Sequence, residues 1–486
     1  GPTRPVTLQR SLTLHHPPPI PLSNPFRSPA PSLYEQIYEY VKKEIRRGSL
    51  AEGTRLPSTR VLAENLKVSR STTQMAYDQL VAEGYVNAVP HRGYFVLGVE
   101  EMVEVEVELP GGFIREEEGE QGKTIIDFSP RGIDLTHFPY NAWRKVTKNT
   151  LVEDNKEMFL TGSPQGEPAL REAIRGYLHS ARGVNCRAQQ IIIGAGNEYL
   201  LMLLYQILGP GRTIAMENPT YKQACRVFES LGYEIAPVDM DGSGMEVNAL
   251  KASQADIAYV MPSHQYPTGI VMPVARRQEL LRWAGKKAER YLIEDDYDSE
   301  FRYKGKPIPA LQGLDKGGKV IYMGTFSKSI APAIRVGYIV LPQPLLRIYR
   351  QRLGFYASTV SRIDQRILYQ FLTEGYYERH LNRMRAIYRG KHDALLGQLR
   401  QLEQDFEISG ENAGLHILLT SKKGKPEDWL IRRAEEKGVK VYGLSSYFIY
   451  SHRRCRSSTV LLGYARLSEE QIKRGAELLW EAWRED

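Results

Sequence analysis

Apolar residues recur four apart at Leu33, Ile37, Val41 and Ile45, the spacing of one helical face, and the run ends before Gly48. Pro57-Ser58 opens a second predicted helix, with Ser58 as N-cap and Val61, Leu62 and Leu66 turned inward. A third helix starts at Ser69 and carries Thr73, Ala76, Tyr77 and Leu80 at the i, i+3, i+4, i+7 spacing. The turn Leu66-Lys67-Val68 between them is short, and Val68 can plug the angle between the helices. Two short helices joined so tightly form a helix-turn-helix, whose second helix offers its first residues to a major groove. After Gly84, Tyr85 to Val96 alternates around Pro90-His91-Arg92-Gly93, which reads as a hairpin wing with a basic tip.

From Ile125 onward the pattern changes. Short β-branched runs such as Ile191-Ile192-Ile193 and Ala258-Tyr259-Val260 alternate with longer amphipathic stretches. That alternation predicts an α/β fold, a parallel or mixed sheet covered by helices. Four segments follow: an extended Pro-rich arm over 1–30, a winged helix over 31–98, an acidic linker over 99–123, and an α/β domain over 124–486. Val103 to Leu109 is a candidate short strand within the linker. Gly1-Pro2 stands where an initiator Met is usual and reads as a cleavage scar.

Composition adds bounds rather than direction. The 486 residues are 42% hydrophobic and 25% charged, ordinary globular values. A net charge of +8 permits nucleic-acid binding without requiring it. Cys186, Cys225 and Cys455 are too few and too scattered for a disulfide framework or a four-ligand metal site, so no metal is expected. The chain has no apolar run of membrane-spanning length and no apolar leader core, so a cytoplasmic protein without membrane contact is expected.

The chemistry of the first segment lies at its third helix, where Ser69, Arg70, Ser71 and Thr72 suit phosphate or base-edge contacts. Helical periodicity alone fits equally a small domain that docks another protein. The order of three helices, Arg-bearing helix start and basic wing favours DNA. The stretch resembles the GntR-type winged helix along its full length, most specifically in G-x-x-L-P-S-x-R-x-L-A at Gly53 to Ala63, V-S-R-x-T at Val68 to Thr72, and E-G-Y near Gly84. That resemblance implies double-stranded operator DNA held by Arg55, Ser58, Arg60, Arg70, Thr72 and Arg92. Gln74 stands where the family often has Arg.

In the large segment, Met323 to Tyr338 reads MGTFSKSIAPAIRVGY. Thr325, Ser327 and Arg335 are types that hold a phosphate, which leaves Lys328 for a carbonyl carbon. Alone, Ser-Lys-Ser is an ordinary solvated loop. Tyr291-Leu292-Ile293, however, runs straight into Glu294-Asp295-Asp296-Tyr297-Asp298. Carboxylates so crowded need a cationic partner, and a pyridinium nitrogen would be one. Gly194-Ala195-Gly196-Asn197 is a glycine turn between a strand and the helix Glu198 to Leu208, suited to phosphate.

In this order the pieces resemble the fold type I pyridoxal phosphate enzymes of the aminotransferase group, over about residues 125 to 486. The implied fold is a large α/β sheet domain with a smaller C-terminal α+β subdomain. The resemblance implies pyridoxal 5'-phosphate on Lys328 as a Schiff base, Asp295 at the pyridine nitrogen, Tyr297 at the phenolic oxygen and Tyr221 stacked on the ring. It assigns the phosphate to Ala195, Gly196, Thr325, Ser327 and Arg335, and an amino acid's carboxylate to Arg466 in G-Y-A-R-L. Two departures stand out. The group usually has Asp-x-x-Tyr where this chain has Asp295-Asp296-Tyr297, and an Asn where Tyr266 precedes Pro267-Thr268-Gly269. The hydrogen bond to the phenolic oxygen must then come from elsewhere, and sustained turnover is not expected.

Both halves together are similar to the MocR (GabR-type) subfamily of GntR regulators, a match strengthened by E-D-D-Y-D-S-E-F and P-S-H-Q-Y-P-T-G. The expectation is a transcriptional regulator that senses an amino-acid-like compound as an external aldimine, working as a head-to-tail homodimer. The alternatives are an active aminotransferase with a DNA-binding appendage, or a regulator that senses pyridoxal phosphate itself.

Overall fold

The computed structural model describes residues 32–98, 125–152, 156–450 and 457–484. The Pro-rich arm, the linker with its candidate strand and Cys455 lie outside the described residues. The chain divides into two compact units, one up to residue 120 and one from 121 onward.

The first unit holds α1 (Leu33–Arg46), α2 (Thr59–Leu66), α3 (Arg70–Ala82) and the antiparallel hairpin β1 (Val86–Val89) and β2 (Gly93–Val96). Ser58 and Ser69 cap α2 and α3, accepting the backbone N–H of Val61 at 3.3 Å and of Thr72 at 3.2 Å. The core joins Tyr38, Val41, Ile45, Leu62, Ala76, Tyr77 and Leu80 to Val86 and Val96 of the hairpin. Leu33 departs from the shared helical face expected of it, and Val61 from its inward placement. Leu33 is exposed because an i+4 run drifts about 40° around the helix at each step, leaving it off the Tyr38–Val41–Ile45 face. Val61 is exposed too, since Leu62 and Ala63 take the inner face of α2.

The second unit begins with β3 (Ile126–Asp127) and then builds an eight-stranded sheet. Its strands are β4 (Ile191–Gly194), β5 (Thr213–Asn218), β6 (Glu234–Asp241), β7 (Gly244–Met245), β8 (Ile257–Val260), β9 (Tyr291–Asp296), β10 (Val320–Thr325) and β11 (Gly337–Val340). The spatial order is β4-β11-β10-β9-β8-β5-β6-β7. Neighbours from β10 to β6 run parallel, whereas β11 is antiparallel to both β10 and β4. Successive residues alternate between two apolar layers: Tyr259 and Ile293 face one, Ala258, Val260 and Leu292 the other. Burial on both faces is why these strands read as continuous apolar runs.

A second, antiparallel sheet follows in the order β12-β13-β16-β15, from β12 (Phe406–Ser409), β13 (His416–Ser421), β15 (Tyr442–Gly443) and β16 (Thr459–Gly463). Helices Glu427–Glu436 and Glu469–Trp483 pack on its core. The short β14 (Val439–Lys440) pairs in parallel with β3, so residues 126–127 join this C-terminal layer. Among the described residues no helix is long and apolar enough to cross a membrane.

Candidate functional site

The parallel strands of the large sheet end together, and a cavity of about 200 Å³ opens beside those ends. Tyr259 of β8, Asp295 of β9 and Thr325 of β10 line it, with Tyr297, Ser327 and Lys328 from the loops that follow. Register sets their levels. Met323 pairs with Asp295, so Thr325 lies two residues, about 7 Å, further along the strands.

One corner gathers two hydroxyls and a guanidinium. Thr325 pairs with Gly337, and Gly337 with Gly194, so three strand ends lie in a row. The Thr325 hydroxyl donates to Ser327 Oγ at 3.1 Å and accepts the Ser327 N–H at 3.1 Å. Arg335, at a left-handed φ of 53°, folds over Gly196, where any Cβ would collide with the guanidinium. A Glu198 carboxylate sits 2.9 Å from that guanidinium. Ala195 and Gly196 do not line the cavity with their neighbours. Their N–H groups donate to Thr359 Oγ1 and the Gly194 carbonyl, each at 2.9 Å. Asn197, which does line it, holds its Oδ1 buried and unpartnered.

Strand alternation sorts the acidic cluster. Glu294 points away from the cavity and accepts the N–H groups of Leu311 and Gln312 at 2.7 and 2.8 Å. Asp296, on the same side, pairs with buried Arg182 at 2.7 Å and accepts the Tyr322 hydroxyl. Asp295 faces the cavity, accepts the Tyr259 hydroxyl, and has no cationic partner among the described residues. Burial pushes its carboxyl up to about 6, against the Tyr259 hydrogen bond and with help from Asp296 and Asp298. The expected crowding is thus relieved by Arg182 for Asp296, while Asp295 stays open to a cation from outside.

Lys328 is half-buried, and its Nζ lies 3.3 Å from the Arg131 carbonyl. Burial holds its ammonium below the usual range, Arg131 adds to that, and Asp298 opposes it. A larger neutral fraction is what a nucleophilic amine requires. The Tyr297 hydroxyl lies 2.9 Å from His264 Nδ1, which is 3.1 Å from Asp298. Tyr266 lines the same cavity and shares a 3.1 Å hydroxyl contact with Tyr447. Tyr221 stands edge-on to Tyr266, ring centres 5.9 Å apart. Arg466 is exposed and outside the lining, its stem laid along Gly132, next to Arg131. Sequence reasoning missed Asn197, Tyr259, Arg131 and His264. Asn197 ends the Gly194-Ala195-Gly196-Asn197 turn and His264 lies within P-S-H-Q-Y-P-T-G, so a local motif marks both, whereas no motif marks Arg131.

Whether these residues suit pyridoxal phosphate is decided by their donor set. A hydroxyl and guanidinium corner, a buried carboxylate without a cation and an amine of lowered basicity match its phosphate, ring nitrogen and aldehyde in turn. The residues fit.

In the first unit, Arg55, Arg60, Arg70 and Arg92 are all exposed. Arg55 lies against Gly93 at the turn end of the wing, and Arg92 stands over the Phe95 ring at 6.0 Å. Arg60 pairs with Glu64 at 3.0 Å, whereas Thr72 shares a 2.7 Å hydroxyl contact with the capping Ser69. Gln74 is tied to Asp78 and to the Tyr94 hydroxyl of β2.

Comparison with known proteins adds to this geometry. The aminotransferase class I and II family matches residues 133–479, and the bacterial regulatory proteins of the gntR family match residues 33–96. The uncharacterized HTH-type transcriptional regulator YdeL of Bacillus subtilis is 41% identical, covering 93% of this chain and 97% of its own. The probable rhizopine catabolism regulatory protein MocR of Rhizobium meliloti is 32% identical over 93% of this chain and 94% of its own. Among solved structures, the multiple substrate aminotransferase of Thermococcus profundus superposes with a TM-score of 0.66 at 26% identity, covering 74% of this chain and 92% of that one.

Proposed function

The chain belongs to the aminotransferase class I and II family, in the MocR-type subfamily of gntR-family regulators, and from that premise we propose a regulator that binds operator DNA and senses an amino compound at a pyridoxal phosphate site. The observation that carries the reading is the cavity that gathers Lys328, Asp295 and the Thr325–Ser327–Arg335 corner in a chain that also carries a winged helix. Pyridoxal phosphate, when bound, supplies an aldehyde carbon that exchanges one amine for another.

The chain's own residues divide the remaining work. Thr325, Ser327 and Arg335 neutralise and orient the phosphate, with the glycine turn at Ala195 and Gly196 beside them and Glu198 giving up its ion pair. Asp295 holds a proton on the ring nitrogen. Tyr297, positioned by His264, donates to the phenolic oxygen, and Tyr221 covers the ring. Lys328 presents a partly neutral amine, and Arg466 takes the effector's carboxylate. On DNA, Arg55, Ser58, Arg60, Arg70, Thr72 and Arg92 contact the backbone and groove edges. An effector can shift DNA binding only by the difference in its affinity for the two arrangements.

Exposed Phe159, Leu160 and Phe355 support self-association, the head-to-tail arrangement of the homodimer resting on the subfamily resemblance alone, and DNA as target supports a cytoplasmic location. The test is a spectral one. Purified protein loaded with the cofactor should show an absorbance band that Lys328→Ala abolishes, and amino compounds should change both that band and operator affinity. Absence of the band, or regulation untouched by Lys328→Ala, would overturn the sensing reading. Sustained turnover with a keto-acid acceptor would favour the working aminotransferase instead. Operator affinity that follows the cofactor alone would favour a sensor of pyridoxal phosphate itself.

A further inference from the structure

Arg131 has no role in the reading above, yet it lines the cavity. Its position is closely held. The Arg131 carbonyl accepts from Lys328 Nζ at 3.3 Å, and the next residue, Gly132, leaves no room for a Cβ beneath the Arg466 stem. Lys391, itself buried, ties the two arginine-bearing segments together, donating to Asp134 at 2.8 Å and to the Ala465 carbonyl at 2.7 Å. The Arg131 and Arg466 segments thus meet at Gly132 and are held together by one buried ammonium.

The charge of Arg131 is directed at the site. It opposes the effect of burial on the Tyr221 and Tyr266 phenols and reinforces it on Lys328. Its guanidinium makes no ion pair among the described residues, although carboxylates are near. Asp134 is held by Lys391 and His137, Asp298 faces His264, Glu198 is paired with Arg335, and Asp295 accepts from Tyr259. Arg335 belongs to the phosphate corner and Arg466 to the first carboxylate, so one planar, bidentate cation is left over at the cavity wall.

We propose that Arg131 is a subsite for a second acid group, so that the effector is an amino acid carrying two carboxylates rather than one. This rests on the sensing reading above. Arg131 forks onto the distal carboxylate while Arg466 holds the one beside the amine, and a neutral amide in the distal place loses a charge-assisted pair.

The test compares acids with their neutral counterparts on the cofactor-loaded full chain. The L- and D-forms of aspartate, glutamate and 2-aminoadipate are titrated against asparagine, glutamine and norleucine, following cofactor absorbance and, separately, calorimetric binding. At least one acid should bind about ten- to a hundredfold more tightly than its neutral counterpart. Arg131→Gln should bring that ratio to about unity, Arg131→Lys should leave it in between, and both should keep the cofactor band as proof of folding. Equal binding of acids and neutral compounds by the wild type overturns this inference alone. So does an Arg131→Gln chain that loses affinity for both classes alike, which would make Arg131 a holder of the common carboxylate. A cofactor band that answers to no amino acid overturns the sensing reading, and this inference with it.

Discussion

At the scale of single residues, Asp295 and Asp296 are adjacent and of one type, and the fold gives them opposite situations. Asp296 faces Arg182, both nearly fully buried, while Asp295 faces a cavity with only a phenol for company. Opposite effects on stability follow. Arg182→Ala strands the Asp296 carboxylate in a dry interior and should cost about 3–5 kcal/mol, measured by denaturant unfolding of the cofactor-free chain. Asp295→Asn removes a buried carboxyl that lacks a cation, so it should leave cofactor-free stability level or raised and should weaken cofactor binding. If both substitutions destabilise alike, the division of labour between the two carboxylates is wrong.

At the scale of elements, the start of α3 separates scaffold from contact. Ser69 caps the helix while Arg70, the next residue, is exposed and makes no ion pair among the described residues. Ser69→Ala should cost about 1 kcal/mol of stability in the first unit. Arg70→Ala should leave stability unchanged, weaken operator binding, and reduce the slope of log affinity against log salt by about one if its contact is a phosphate. Thermal melts and binding titrations at several salt concentrations check the pair. The Ser58 cap was legible because a Ser before an apolar-periodic run is a local signal, whereas the sequence places Ser69 at the helix start as a contact residue and the structure makes it the cap. The exposure of Leu33 and Val61 was not legible, because which part of a helix meets its neighbour depends on where the neighbour lies.

At the scale of the whole molecule, the second unit buries carboxyl groups that hold their protons unusually long. Burial pushes Glu217 up to about 8 and Glu294 up to about 7. Their folded values exceed the unfolded ones, so between the two the folded chain binds more protons, and stability must fall as pH rises. His416, held down to about 4 by burial, works in the opposite sense, but only below its unfolded value. The melting temperature of the cofactor-free chain should therefore decline from about pH 6.5 to 8. Glu217→Gln, which keeps an acceptor for the Met261 N–H, should make the decline shallower. An unchanged slope in that variant would show that Glu217 is not the proton holder.

The sequence by itself determined what is local or periodic: three helices, the second with its Ser58 cap, and a hairpin, apolar strands buried on both faces, and the order of glycine turn, acidic strand end and Lys328-bearing loop. Side-chain period and capping chemistry act over a few residues, so a linear reading captures them. The tertiary structure alone decided three things, all depending on residues far apart in the chain. The first is that β11 inserts antiparallel between β4 and β10, bringing Gly194, Gly337 and Thr325 into one row. The second is that β3 leaves its neighbours in sequence to pair with β14 in the C-terminal layer. The third is that Lys391 draws the Arg131 and Arg466 segments together, turning a lone arginine without any motif into a wall of the site.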